Sequence, residues 1–145
     1  MTHSGTCVAV DGRGVLLRGP SGAGKSDLAL RLIDDGAELV ADDRVALVSS
    51  AGVLTASAPP ALRGLMEVRG LGVFRLPYRT SVHVSLVADL VDSQDERLPA
   101  PHQTTILGHA VPAIRLSAKA SSAAARVRLV LGAAESVAGV MGDAA

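Results

Sequence analysis

Aromatic residues are nearly missing from this chain: Phe74 and Tyr78 are the only two among 145 residues, and there is no tryptophan. Their scarcity removes the platforms on which nucleobases stack and leaves the core to be built from Leu, Val, Ile and Ala. A bound nucleoside would therefore be held mainly through its phosphates. Cysteine is scarcer still. Cys7 alone excludes an internal disulfide and a cysteine-rich metal site, which fits a reducing cytoplasm. The 14 basic residues balance the 14 acidic ones, so no overall field favours nucleic acid or an anionic membrane. No apolar run approaches the ~18 residues needed to span a bilayer, and Met1 to Gly5 lacks the charged-then-apolar order of a signal peptide. These absences together lead us to expect a cytoplasmic protein. The four histidines, His3, His83, His102 and His109, include no pair at metal-binding helix spacing, and no serine stands in a nucleophile elbow.

What is present is a chain 48% hydrophobic and 19% charged, long enough for one core and short for two, so residues 1–145 read as a single domain. Two apolar runs, Thr6 to Val10 and Val15 to Leu17, flank Asp11-Gly12-Arg13-Gly14 and predict a hairpin. From Lys25 to Asp34, Leu28, Ala29, Leu32 and Ile33 recur at helical spacing, and Gly36 stops the helix. Glu38 to Ala41 reads as a strand ending in Asp42-Asp43, and Val45 to Val48 with Val53 to Ala56 as a hairpin through Ala51-Gly52. Leu65 to Val68 is a strand candidate running into Arg69-Gly70-Leu71-Gly72. Ser81 to Leu90 alternates as a strand, Asp92 to Gln103 reads as a loop, and Gly108-His109 as the turn of a last hairpin whose second strand Pro112 limits to an edge or an end. Ser121 to Met141, rich in Ala, Val and Leu, predicts one or two helices.

Between the first hairpin and the helix, Gly19-Pro20-Ser21-Gly22-Ala23-Gly24-Lys25-Ser26 fits the phosphate-loop pattern G-x-x-x-x-G-K-[ST]. Backbone N–H groups of such a loop surround a polyphosphate, the lysine reaches the β and γ phosphates, and the serine hydroxyl ligates Mg²⁺. A glycine-rich turn before a helix is the bland alternative; the apolar strand before it and the amphipathic helix after it favour nucleotide binding.

Asp42 and Asp43 follow a strand about one helix beyond Lys25, where a phosphate-loop enzyme places an acid near the metal or the attacking group. An acidic turn or cap would use the same residues. Glu67 suits a second Mg²⁺ ligand at a strand end, although an exposed Glu67 and Arg69 on an ordinary strand explain the same letters.

Three segments, "GPSGAGKSDLAL", "LVADDRV" and "MEVRGLGV", together resemble the catalytic domain of HPr kinase/phosphorylase, over about residues 4–115. The resemblance implies an α/β phosphate-loop kinase domain with a mixed sheet and antiparallel hairpins, similar to phosphoenolpyruvate carboxykinase. It implies transfer of phosphate from ATP, with Mg²⁺, to a serine of the carrier HPr within the phosphotransferase system, by a homo-oligomer that is often a hexamer. Matched residue by residue, Lys25 binds phosphates, Ser26 and Glu67 hold Mg²⁺, and Asp43 is the base for the acceptor serine, with Asp42 beside it. Arg69 lies in the signature segment, and Arg97 in "DERLP" resembles the arginine acting on the transferring phosphate.

Three departures accompany the match. The N-terminal domain of the long forms has no counterpart, as in the short, catalytic-domain-only form. The family's histidine place is taken by Ser4, one residue after His3, and a one-residue bulge would bring His3 into the site. "LSAKASSAAA" stands where the family carries a glycine- and arginine-containing loop associated with dephosphorylation, so phosphorylase activity lacks that support. Two rival readings are a small-metabolite kinase and a nucleotide-binding sensor without catalysis.

Overall fold

The computed structural model describes residues 2–92 and 102–132. Strand β1 (Thr2–Ser4) leads into the first hairpin, β2 (Thr6–Val10) and β3 (Arg13–Arg18), and then helix α1 (Lys25–Asp34) crosses to β4 (Glu38–Ala41). A second hairpin, β5 (Arg44–Ser50) and β6 (Val53–Ser57), precedes a small two-stranded arm, β7 (Leu65–Val68) and β8 (Gly72–Arg75). Strand β9 (Val82–Leu90) and the hairpin β10 (His102–Ile106) and β11 (His109–Leu116) complete the sheet, and the chain is helical again over 123–132.

Nine strands among the described residues form one mixed sheet, with β4, β2, β3 and β9 side by side. β3 and β9 are parallel, whereas β2 pairs antiparallel with both β3 and β4, as the first hairpin requires. The other edge of β9 is shared. Val82 and His83 pair with β6, and Val87 to Leu90 pair in parallel with β11. Two subsheets thus curl away from one long strand, one carrying β6, β5 and β1, the other β11 and β10. Both faces of the sheet are covered. Val8, Val15 and Leu17 pack with Leu28, Ala29 and Leu32 of α1 and with Val127 and Leu131 of the C-terminal helix. On the opposite face Leu16, Val40, Val45, Leu47 and Val87 form a second cluster.

Helix α1 has the bounds its apolar spacing predicts, with Leu28, Ala29 and Leu32 buried and an Asp27–Arg31 ion pair at 3.1 Å one turn apart. The turns Asp11-Gly12 and Ala51-Gly52 join the strands that their sequences predict. The third turn lies one residue earlier than expected, at Leu107-Gly108, so His109 is the first residue of β11 and pairs with Ile106. In all three turns both residues have positive φ, 48° and 82° in the last, and glycine tolerates the second position far better than histidine does. Gln103 lies within β10 rather than in a loop. Strand β11 continues through Pro112, which sits one residue before pairing with β9 begins and opposite Gln103, a non-hydrogen-bonded position counted from the turn, so its missing N–H breaks no rung. Arm strand β8 is wholly exposed and carries no buried face to announce it. Of the expected C-terminal helices, only 123–132 falls within the described residues.

Candidate active site

The end of β3 delivers the phosphate loop, α1 begins at its last residues, β4 ends in the aspartates, and β7 ends at Glu67 and Val68. These ends converge. They enclose a cavity of about 540 Å³ lined by Ser21, Gly22, Gly24, Lys25, Ser26, Asp43, Glu67 and Arg69. Eight of the expected functional positions are thereby joined by a fold in which they are up to 48 residues apart in sequence, from Ser21 to Arg69.

Within the loop, Ala23 N–H donates to the Pro20 carbonyl at 3.0 Å. The Lys25 ammonium arches back over the loop and donates to the carbonyls of Gly19 at 2.7 Å and Pro20 at 3.1 Å. Gly24 caps α1 with φ 94°, and a Cβ there would lie 2.8 Å from the Ala118 Cβ, so both its conformation and its neighbour exclude a side chain. Ala118 is in turn held by Arg31, which donates to the carbonyls of Ala118 and, at 3.2 Å, of Ala120. Gly19, Pro20 and Ala23 therefore shape the loop without lining the cavity.

The two aspartates diverge. Asp42 is buried and accepts hydrogen bonds from Ser26 Oγ at 2.7 Å and Thr6 Oγ1 at 3.0 Å on one carboxylate oxygen, and from Glu67 N–H at 3.2 Å on the other. It joins the starts of β2 and α1 to β7. Asp43 adopts a left-handed φ of 71°, its carbonyl accepts the Gly5 N–H at 3.1 Å, and its carboxylate is exposed on the cavity. One residue thus fixes a polar group beneath the site, and the next presents an exposed carboxylate to the cavity.

No cluster of three or more His, Cys, Asp or Glu is arranged to hold a metal among the described residues. Ser26 and Glu67 nevertheless offer the donor chemistry of a hard cation. Because Ser26 spends its hydroxyl proton on Asp42, its oxygen lone pairs remain for another partner, and Glu67 presents carboxylate oxygens to the same cavity.

His3 is not brought to this cavity. β1 pairs with β5 in unbroken register, His3 opposite Val45 and Ser4 opposite Arg44, so the bulge that would shift His3 by one residue is not formed. The ring instead lines a second cavity beyond Leu16. Arg97 lies outside the described residues. Thr6, which sequence reasoning passed over as part of an apolar strand, lines the site and is fully buried, and a hydroxyl heading the run Thr6-Cys7-Val8-Ala9-Val10 was the available signal. Cys7, one residue on, is sealed in the core, where burial pushes its thiol pKa up to about 12.

The family model described as HPr Serine kinase C-terminal domain matches residues 1–136. An HPr kinase/phosphorylase of Geobacillus sp. is 45% identical over 94 residues, covering 59% of this chain and 30% of that protein. The HPr kinase/phosphorylase of Cupriavidus necator is 36% identical over 132 residues, covering 83% of this chain and 41% of its own length. The chain therefore spans well under half the length of these curated relatives. The solved structure of the Hpr(Ser) kinase/phosphatase from Coxiella burnetii superposes with a TM-score of 0.79 at 26% identity, covering 91% of this chain and 94% of that one. Its fold is the same mixed α/β phosphate-loop kinase domain. On the match over residues 1–136, with the loop, Asp43 and the signature turn in one cavity, the chain belongs to the HPr Serine kinase C-terminal domain family.

Proposed function

We propose that this cavity transfers the γ-phosphoryl group of ATP to a serine hydroxyl of an HPr-like carrier protein. The observation that carries this reading is one cavity lined by the phosphate loop together with Asp43, Glu67 and Arg69. Loop N–H groups and Lys25 would hold the triphosphate, and α1 directs its N-terminus at it. Ser26 and Glu67 would hold Mg²⁺, which when bound neutralises charge on the β and γ phosphates.

Asp43 would accept the proton as the serine oxygen forms its bond to the γ-phosphorus and the bond to the ADP oxygen breaks. Its exposure leaves the carboxylate within reach of a side chain carried in by another protein. Asp42, with both carboxylate oxygens already accepting hydrogen bonds, is the poorer base and acts by fixing Ser26 and the Glu67 backbone. Lys25 and Arg69 would stabilise charge spread over the transferring group, a role worth about 10²–10³ in rate per donor in comparable sites.

We further propose that the enzyme works as a homo-oligomer in the cytoplasm; among the described residues no helix is long and apolar enough to cross a membrane. Incubation with γ-labelled ATP and HPr tests the acceptor. Label in phosphoserine on HPr supports the proposal, label on a small molecule favours a metabolite kinase, and tight nucleotide binding without transfer favours a sensor.

A further inference from the structure

Exposed apolar side chains gather on one element. Of the seven large hydrophobic residues left exposed among the described residues, Leu71, Val73, Phe74 and Tyr78 fall within eight positions, on and just after the two-stranded arm. Leu71 at the turn is 74% exposed and Val73 65%, and every residue of β8 is open. A folded chain rarely concentrates apolar surface in this way unless a partner covers it.

The pairing of the arm shows which way this surface faces. Val73 stands directly opposite Glu67, and Phe74 opposite Met66, and directly paired side chains share a face. Met66 is buried in the core, so its face is turned inward, whereas Glu67 lines the phosphate-loop cavity. Val73 therefore continues, outside the cavity, the face that carries Glu67 within it. Arg75 lies two residues further along that face, exposed and without an ion pair among the described residues. At the turn, Arg69 and Gly70 line the cavity and Leu71 follows them. Cavity, apolar surface and an unpaired guanidinium thus form one continuous strip along the arm.

That continuity selects the occupant. A cavity of about 540 Å³ that also holds ATP admits the reacting side chain of an acceptor protein but not its body, so the body must rest on the rim. A second copy of this chain seated on the same strip would close the cavity to such an acceptor. We propose that Leu71, Val73 and Arg75 form the docking surface for the phosphoacceptor protein, which offers apolar side chains beside its serine and a carboxylate to Arg75. This assignment rests on the protein-serine acceptor proposed above and adds where that protein binds.

Steady-state kinetics with HPr as the probe, at saturating ATP and Mg²⁺, test this, with ATP affinity and sedimentation measured on the same proteins. Leu71→Ser combined with Val73→Thr should raise the KM for HPr at least tenfold, and Arg75→Glu at least threefold. The rate at saturating HPr, the ATP affinity and the sedimentation coefficient should match those of the unaltered chain, because none of the three residues lines the cavity. Leu71→Ser alone serves if the paired change unsettles the arm. An unchanged KM in the folded apolar variant would overturn the docking surface while leaving the acceptor in place, and an unchanged KM in Arg75→Glu would overturn the carboxylate contact. Dissociation of the variants into smaller species would assign the strip to a second copy and overturn the proposal. No phosphoserine on HPr from the unaltered chain would overturn the acceptor itself, and the docking surface with it.

Discussion

Ser26 Oγ donates to Asp42 Oδ1 at 2.7 Å, joining the first turn of α1 to the end of β4 beneath the phosphate loop. Because Asp42 also accepts from Thr6 and from the Glu67 backbone, one buried carboxylate sets the relative positions of the elements that carry the site. Asp42→Asn removes the charge and turns its amide NH₂ either to the Glu67 N–H, donor facing donor, or to the Ser26 and Thr6 hydroxyls, which must then accept instead of donate. We expect a loss of about 2–4 kcal/mol in denaturant unfolding, from a charged hydrogen bond removed and a buried donor left unpaired. Unchanged stability would show that the Asp42 bonds do not hold these elements.

Gly24→Ala tests the junction of loop and helix. The backbone there has φ 94° and the new methyl group would lie 2.8 Å from the Ala118 Cβ, so strain of about 1–3 kcal/mol is expected. Relief of that strain displaces loop N–H groups, and ATP affinity measured by titration should fall at least tenfold. Wild-type affinity would contradict the tight packing of the loop on Ala118.

Arg31 fastens the segment after β11 to α1 through the carbonyls of Ala118 and Ala120. Arg31→Met leaves those acceptors unpaired at a cost of about 1–3 kcal/mol. Hydrogen exchange should quicken at residues 118–131 and stay slow in the β2–β3 hairpin. Equal exchange in both proteins across 118–131 would dismiss the arginine as the fastening.

Cys7 predicts an alkaline instability of defined sign. Its folded pKa is pushed up to about 12 from an ordinary value of 9.0, so above pH 9 the unfolded chain loses the thiol proton while the folded chain keeps it. Stability contributed by the protonated thiol is complete below pH 9 and is lost as pH rises towards 12, by about 1.4 kcal/mol per pH unit. Cys7→Ala should flatten the stability profile between pH 9 and 11 by that difference. Parallel profiles, or rapid modification of the native thiol at pH 8, would contradict its burial.

Much of this arrangement was legible in the chain itself, for local reasons. Leu28, Ala29 and Leu32 mark α1 because one buried face at helical spacing suffices, and Asp11-Gly12 marks its turn because that pair tolerates positive φ at both positions. The loop pattern, the aspartates and Glu67 were visible as candidates, but the allotment of Asp42 to the floor and Asp43 to the cavity follows from a left-handed backbone at Asp43 that no spacing announces. Strand β8 left no trace because none of its residues is buried. The exchange of partners along β9 depends on contacts with β6 and β11 far away in sequence. His3 shows the opposite failure, since a register shift of one residue decides which cavity it lines, and pairing with β5 decides the register.

The most direct test of the central claim is single-turnover phosphoserine formation on HPr by the unaltered chain and by Asp43→Asn, at saturating ATP and Mg²⁺. Asp43 is exposed and, among the described residues, bonds the fold only through its carbonyl, so the variant should fold and bind ATP normally. The account predicts transfer by the unaltered chain and a rate about 10²–10⁴ lower in the variant, the contribution of a positioned base. Equal rates in the two proteins, or no phosphoserine from the unaltered chain, would contradict it.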